Sequence, residues 1–329
     1  MPTPPLNILC IGQSGRLGHE ALLLAASFRA TNPDFTGRFF VAEPQPGALW
    51  PGTDPGMSPD QKAALARYDA EILPFDSRAF GAAYPFGNKI EALAALPPGE
   101  PFLFLDSDTL FLGSLSKLAI DPARPSASMR REGTWPQVPL YGPGYDGIWG
   151  ALYRRFGLDF AASLDLSQPQ DYWQRYLYFN AGWYFGAEAG AFGQRFLDYA
   201  LSIRDGEIDE LASQPLDPWL DQVALPLVIH SFGGGRPGPE LDGLDGAVTC
   251  HYRSLPLLYA RESDAVVERL EETAALNPVK KVLRDHEPAR RLVYQGKGRE
   301  IRAMFDRDRL PAREQAIRKR IKAAGLWLR

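Results

Sequence analysis

Over the first 110 residues, short apolar runs alternate with longer stretches whose apolar positions recur at helical spacing. The run Ile8–Ile11 ends at a glycine turn. Residues 18–33 (GHEALLLAASFRATNP) then keep apolar side chains on one helical face until Asn32-Pro33 stops them. Residues 37–43 (GRFFVAE) predict a second strand, and 57–70 a helix with Ser58 as N-cap and Pro59 at its first position. A third strand is expected at 71–75 (EILPF), and a helix at 88–100 stopped by two prolines and a glycine. Residues 101–113 (PFLFLDSDTLFLG) supply a buried strand, two acids and a second apolar run. This alternation predicts an α/β fold around a largely parallel sheet.

Residues 113–176 lose the regularity and are rich in Pro, Gly and aromatics, so they predict an irregular excursion with one or two helices. The pattern resumes with a strand in 174–187 (QRYLYFNAGWYFGA), a helix over 191–206, and a short helix opened by Asp217-Pro218 with Asp217 as N-cap. PLVIHSF (226–232) and GAVTCHYRS (246–254) predict the last strands, and charged, helix-forming sequence follows from Arg261. The charge divides the same way. Residues 261–329 hold 18 Lys and Arg against 11 Asp and Glu, whereas the rest of the chain holds 18 against 29. An acidic body over 1–260 and a basic helical extension over 261–329 are the expected units.

With 329 residues and a net charge of −4, the chain can bury a large core and shows no bias toward nucleic acid. The two cysteines, Cys10 and Cys250, sit in apolar runs and predict buried thiols. The N-terminal segment has no signal-peptide pattern and no run is long enough for a membrane helix, so a cytoplasmic location is expected. The basic segment 312–329 places Ile317, Ile321 and Ala324 beside Arg318, Lys319, Arg320 and Lys322, a pattern that suits peripheral contact with an anionic membrane.

The strongest chemical signal is FLFLDSDTLFLG. Four apolar residues deliver Asp106 and Asp108 to the carboxyl end of a strand, where open α/β sheets bind ligands. Two carboxylates one residue apart can share Mn²⁺ or Mg²⁺, ions that bridge protein carboxylates to phosphates. The glycines of GQSGRLG (12–18) permit a different reading, a dinucleotide-binding turn with Glu43 as the ribose acid of an NAD(P)-dependent oxidoreductase. A nucleotidyltransferase would also use strand-end acids, but no basic glycine-rich pyrophosphate loop is evident.

Over residues 7–255 the chain resembles the GT-A glycosyltransferases, in particular glycosyltransferase family 8. EALLLAASFRATNP is similar to the family's first helix, FGNKIEALAAL to its lysine-bearing helix, and FLFLDSDTLFLG to its D-x-D strand. YFNAGWYFG, LDQVALP and TCHYRS resemble the three later motifs, in the family's order. The resemblance implies a Rossmann-like GT-A domain with a mixed, mostly parallel sheet. It also implies metal-dependent, retaining transfer of a hexose from a nucleotide sugar, with a UDP-sugar expected, to a carbohydrate, glycolipid or protein acceptor.

On that resemblance the metal ligands are Asp106, Asp108 and His251, with Mn²⁺ or Mg²⁺ as the ion. Lys89, Ser107, Ala181 and Gly182 contact the donor, Lys89 at its phosphates; Asn180, Asp221 and Gln222 are the catalytic group at the donor sugar. Gly12, Gln13 and Ser14 lie against the nucleoside, and Leu17 stands where the family often has a base-stacking tyrosine. The family's lysine after the metal histidine is missing, and Arg253 is its expected substitute. Trp135, Tyr141, Tyr145, Trp149 and Trp173 serve either an acceptor groove or a packed subdomain, and Arg130 and Arg131 are candidates for an anionic acceptor. His230 has no motif support, and His19 and His286 are expected at the surface. A binding protein that retains the fold without turnover is the remaining alternative.

Overall fold

The computed structural model describes residues 5–130 and 133–328; Arg131 lies outside them. The strands are β1 (Asn7–Ile11), β2 (Phe39–Pro44), β3 (Ala70–Phe75), β4 (Phe102–Leu105), β5 (Thr109–Phe111), β6 (Ala127–Ser128), β7 (Asn180–Gly186) and β8 (Thr249–His251). Six form one sheet in the order β3-β2-β1-β4-β7-β6. The first four are parallel, and β7 runs antiparallel to both neighbours, so the sheet is mixed and mostly parallel as expected. The chain leaves β1 toward β2 on one side, while β4 joins on the other. A crevice therefore opens at the carboxyl ends of β1 and β4. Because β7 is antiparallel, its first residues, Asn180 to Gly182, arrive at that same edge. β5 and β8 make a separate antiparallel pair in which Thr109 faces His251.

The first helices are α1 (Arg16–Thr31), α2 (Pro59–Ala66), α3 (Asn88–Glu91), α4 (Gly144–Arg155), α5 (Phe160–Ser163), α6 (Ala189–Asp205) and α7 (Leu220–Ser231). α8 (Leu255–Arg261), α9 (Asp264–Ala275), α10 (Asn277–Leu283), α11 (Glu287–Ala289), α12 (Lys297–Ala303) and α13 (Glu314–Ala323) follow. Ser58 caps α2 as expected, in a capping box closed by Gln61. PLVIHS is the second half of α7, not a strand, and Asp217 is not its cap, since the helix begins at Leu220. Val223, Ala224, Leu225, Leu227, Val228 and Ile229 are all buried, and an element buried all round gives the same unbroken apolar run in either conformation.

Two apolar cores lie on the two faces of the sheet. One joins α3, α6 and α7 to the 113–176 excursion, whose Trp135 and Trp149 meet edge to face at 5.3 Å. These two aromatics are core, Tyr145 and Trp173 are half-buried, and Tyr141 is exposed. The other core runs from Ile8, Leu22 and Phe28 through Val266, Leu270, Leu283 and Ile301 to Ile317 and Ile321. The apolar side of α13 is thus buried inside the protein, where each isoleucine is worth roughly 1.5–3 kcal/mol. This removes the apolar anchor that membrane contact through this helix requires. Among the described residues, no helix is long and apolar enough to cross a membrane. His19 and His286, expected at the surface, are half-buried and stack with ring centroids 4.3 Å apart.

Candidate active site

The carboxyl edge of β4 is pinned on both sides. The Asp106 N–H donates to the Gly182 carbonyl at 2.8 Å, and the Tyr252 N–H to the Asp108 carbonyl at 2.9 Å. These two bonds, with the β5–β8 pairing, bring His251 over the acids. His251 Nε2 lies 3.1 Å from Asp108 Oδ1 and 3.7 Å from Asp106 Oδ2. One ligand atom from each of Asp106, Asp108 and His251 falls within 4.8 Å of the others. Two carboxylate oxygens and an imidazole nitrogen at this spacing can close on one divalent ion, and the set suits Mn²⁺ or Mg²⁺. Burial works against ionisation of Asp108, but His251, Arg16 and Lys89 outweigh it and hold the carboxyl well below its usual range.

Lys89, on α3, is buried beneath the acids. Its ammonium reaches Asp106 Oδ1 at 2.8 Å, Asp221 Oδ2 at 3.4 Å and the Ala181 carbonyl at 3.2 Å. Burial favours its neutral form, but the attraction of Asp106 and Asp221 prevails and keeps it protonated. Asp221 is fully buried near the start of α7, and burial raises its pKa against the pull of Lys89. The Tyr84 hydroxyl donates to Asp221 Oδ1 at 2.9 Å and accepts from the Asp221 N–H at 3.1 Å. Gln222 accepts from the Tyr178 hydroxyl at 2.9 Å, and Asn180 donates to the Arg130 carbonyl at 2.8 Å.

Lys89, Asp106, Asp108, Ala181, Gly182, Asp221 and His251 are therefore one connected group. Gly182 is there to make room: a β-carbon on it would stand 2.4 Å from His251 Nδ1. Gln13 joins through Asn88, whose amide donates to its side-chain oxygen at 3.2 Å. Gly12 is tight against Val41 and Met57, so its lack of a side chain serves packing onto β2. Ser14 is exposed beside the Asp54 carbonyl. The Ser107 hydroxyl donates to the Ile11 carbonyl and ties β4 to β1, which commits its one side-chain donor within the protein. Glu43 accepts from the Met57 N–H and pairs with Lys62 at 2.8 Å, so the acid that an NAD reading needs is already committed.

Arg253 is not brought to the site. Its backbone is left-handed, φ 64°, and its guanidinium turns to Glu314 at 3.4 Å. Three residues at the site went unnoticed in the sequence: Tyr84, Arg16 and Glu20. Arg16 Nη1 lies 3.6 Å from Asp108 Oδ2 and is held by both oxygens of Glu20 at 2.7 and 2.8 Å. Nothing in GAAYPFGN marks Tyr84, and an arginine opening a helix reads as solvated.

Residues 8–233 match the family model of the Rhodobacterales glycosyltransferase domain. No curated protein matches the chain. Among solved structures, galactosyltransferase LgtC in complex with donor and acceptor sugar analogues is similar over 83% of this chain and 96% of its own, at 15% identity and TM-score 0.49. An active-site variant of LgtC is similar over 82% and 95%, at 16% identity and TM-score 0.50. The apo bifunctional glycosyltransferase WbbM covers 85% of this chain with 52% of its own, at 12% identity and TM-score 0.46. The likeness to the LgtC variant supports the fold, a GT-A fold resembling glycosyltransferase family 8.

Proposed function

Because the chain belongs to the Rhodobacterales glycosyltransferase family, we propose that it moves a hexose from a nucleoside diphosphate sugar, with a UDP-sugar as donor, in a divalent-metal-dependent reaction. The observation that carries this reading is the convergence of Asp106, Asp108 and His251 at the sheet's switch point, joined through Lys89 to Asp221. A Mn²⁺ or Mg²⁺ ion held by those three residues would supply charge stabilisation to the departing diphosphate. In the transfer, the bond between the anomeric carbon and the phosphate oxygen breaks and its electron pair leaves with the diphosphate. The acceptor hydroxyl oxygen forms the new bond and passes its proton to the departing phosphate oxygen.

Asp221, fixed by Lys89 and Tyr84, faces the donor sugar, and the amides of Asn180 and Gln222 meet its hydroxyls. Gly12, Gln13 and Ser14 lie against the nucleoside. Retention of configuration rests on the resemblance to family 8, and the acceptor is a carbohydrate, glycolipid or protein. Buried free thiols at Cys10 and Cys250 fit a reducing, cytoplasmic setting. The test is release of nucleoside diphosphate from a panel of donors with Mn²⁺, compared with the Asp106→Asn variant. Metal-dependent release that the variant loses supports the reading. Binding of donor with no turnover on any acceptor or on water would instead support a non-catalytic binding protein.

A further inference from the structure

We propose that Arg16 is a donor-binding residue whose guanidinium receives the diphosphate of the nucleotide sugar, an inference that rests on the function proposed above. The Lys89 ammonium is buried between Asp106 at 2.8 Å, the Ala181 carbonyl at 3.2 Å and Asp221 at 3.4 Å, so its charge is already shared by two acids of the protein. It is held by those acids rather than offered to a phosphate. Arg253, the other expected cation, is turned onto Glu314. Arg16 is a cation beside the metal acids that still has donors to offer a diphosphate.

Arg16 opens α1, immediately after the glycine turn that follows β1. Glu20, itself buried, fixes Nη1 with two short bonds, and Asp108 Oδ2 lies 3.6 Å from the same nitrogen. Nε and Nη2 take no protein partner among the described residues, so three N–H donors remain on a guanidinium already held in place. The side chain is 29% exposed, and its 3.6 Å approach to Asp108 puts it at the edge of the acid cluster. His251 lies beside Asp108 Oδ1 and Arg16 beside Oδ2, so an anion drawn to a metal that these acids would hold would meet the guanidinium nearby. Fixed, planar and bearing unspent donors, it suits phosphate oxygens.

The experiment measures binding of Mn²⁺ alone, and of inorganic pyrophosphate and UDP at saturating Mn²⁺, on the wild-type protein, Arg16→Ala and Arg16→Lys. Thermal melts establish that the variants fold. Arg16→Ala is expected to bind pyrophosphate and UDP about 10–100-fold more weakly, with Mn²⁺ affinity changed less than about threefold, and Arg16→Lys to regain part of the loss. Equal pyrophosphate affinity in wild type and Arg16→Ala would overturn the assignment. So would a proportionate loss of Mn²⁺ binding, which would mean that Arg16 only holds Asp108. If the wild-type protein itself shows no metal-dependent pyrophosphate or UDP binding, the proposed function fails first and Arg16's role fails with it.

Discussion

Two charged clusters flank the loop after β8, and they are built to opposite rules. Before it, the carboxylates of Asp106, Asp108 and Asp221 share one lysine and one imidazole, with Arg16 at the rim. After it, Glu262 and Glu314 are held by four arginines: Arg130, Arg253, Arg261 and Arg318. The second cluster matches each acid with more than one cation and fastens α13 and the segment after α8 to the body. The first is short of positive charge, which is what a site for a divalent cation and an anionic ligand requires. Both contain buried acids. The balance of acid to base separates a binding site from a fastening.

Breaking each cluster should therefore have different consequences. Lys89→Met leaves Asp106 and Asp221 without their cation and is expected to cost about 3–5 kcal/mol of stability, read from urea unfolding, with part of the loss recovered by Mn²⁺. A loss that Mn²⁺ leaves untouched would mean that this cluster, too, is purely structural. Glu314→Gln is expected to cost about 2 kcal/mol, less because two of its three arginines, Arg253 and Arg318, are partly exposed, while metal and nucleotide affinity stay at wild-type values. Coupled loss of metal binding would erase the distinction between the two clusters.

Smaller effects sharpen it. Gly182→Ala must push His251 away from the acids and should weaken Mn²⁺ binding about tenfold in a metal titration, with little change in unfolding midpoint. Unchanged metal affinity would remove His251 from the ligand set. The smallest effect is in pH. Burial raises the pKa of Glu314, but Arg261, Arg253 and Arg318 outweigh it, so the folded value lies below the ordinary 4.5. Its stabilisation is then present above the ordinary carboxylate range and is lost as pH falls toward the folded value. Urea midpoints should fall on acidification less steeply in Glu314→Gln than in the wild-type protein.

Much of this was legible in the chain, for identifiable reasons. Four buried apolar residues ahead of Asp106 and Asp108 announce a strand end carrying acids, and Ser58-Pro59 with Gln61 announces the start of α2. His251 could be named only from a motif, because a histidine in an apolar strand looks the same whether it packs or ligates. The second half of α7 was misread because Pro226 to Ile229 is buried on every side and leaves no polar face to reveal its period. Arg16, Glu20 and Tyr84 act through partners far away in sequence or already engaged, and no local pattern shows that Tyr84 would meet Asp221. The burial of Ile317 and Ile321 likewise depends on what the rest of the fold presents to them.

The central claim is that the acid-rich cluster holds a metal and, through it, a nucleoside diphosphate. The direct measurement is calorimetric titration of UDP with and without Mn²⁺, on the wild-type protein and on Asp108→Ala. The account predicts binding that appears only with Mn²⁺ and that Asp108→Ala weakens by more than the roughly 10–100-fold cost of losing an outer-sphere partner. UDP binding of equal strength without metal, or unchanged in Asp108→Ala, would contradict it.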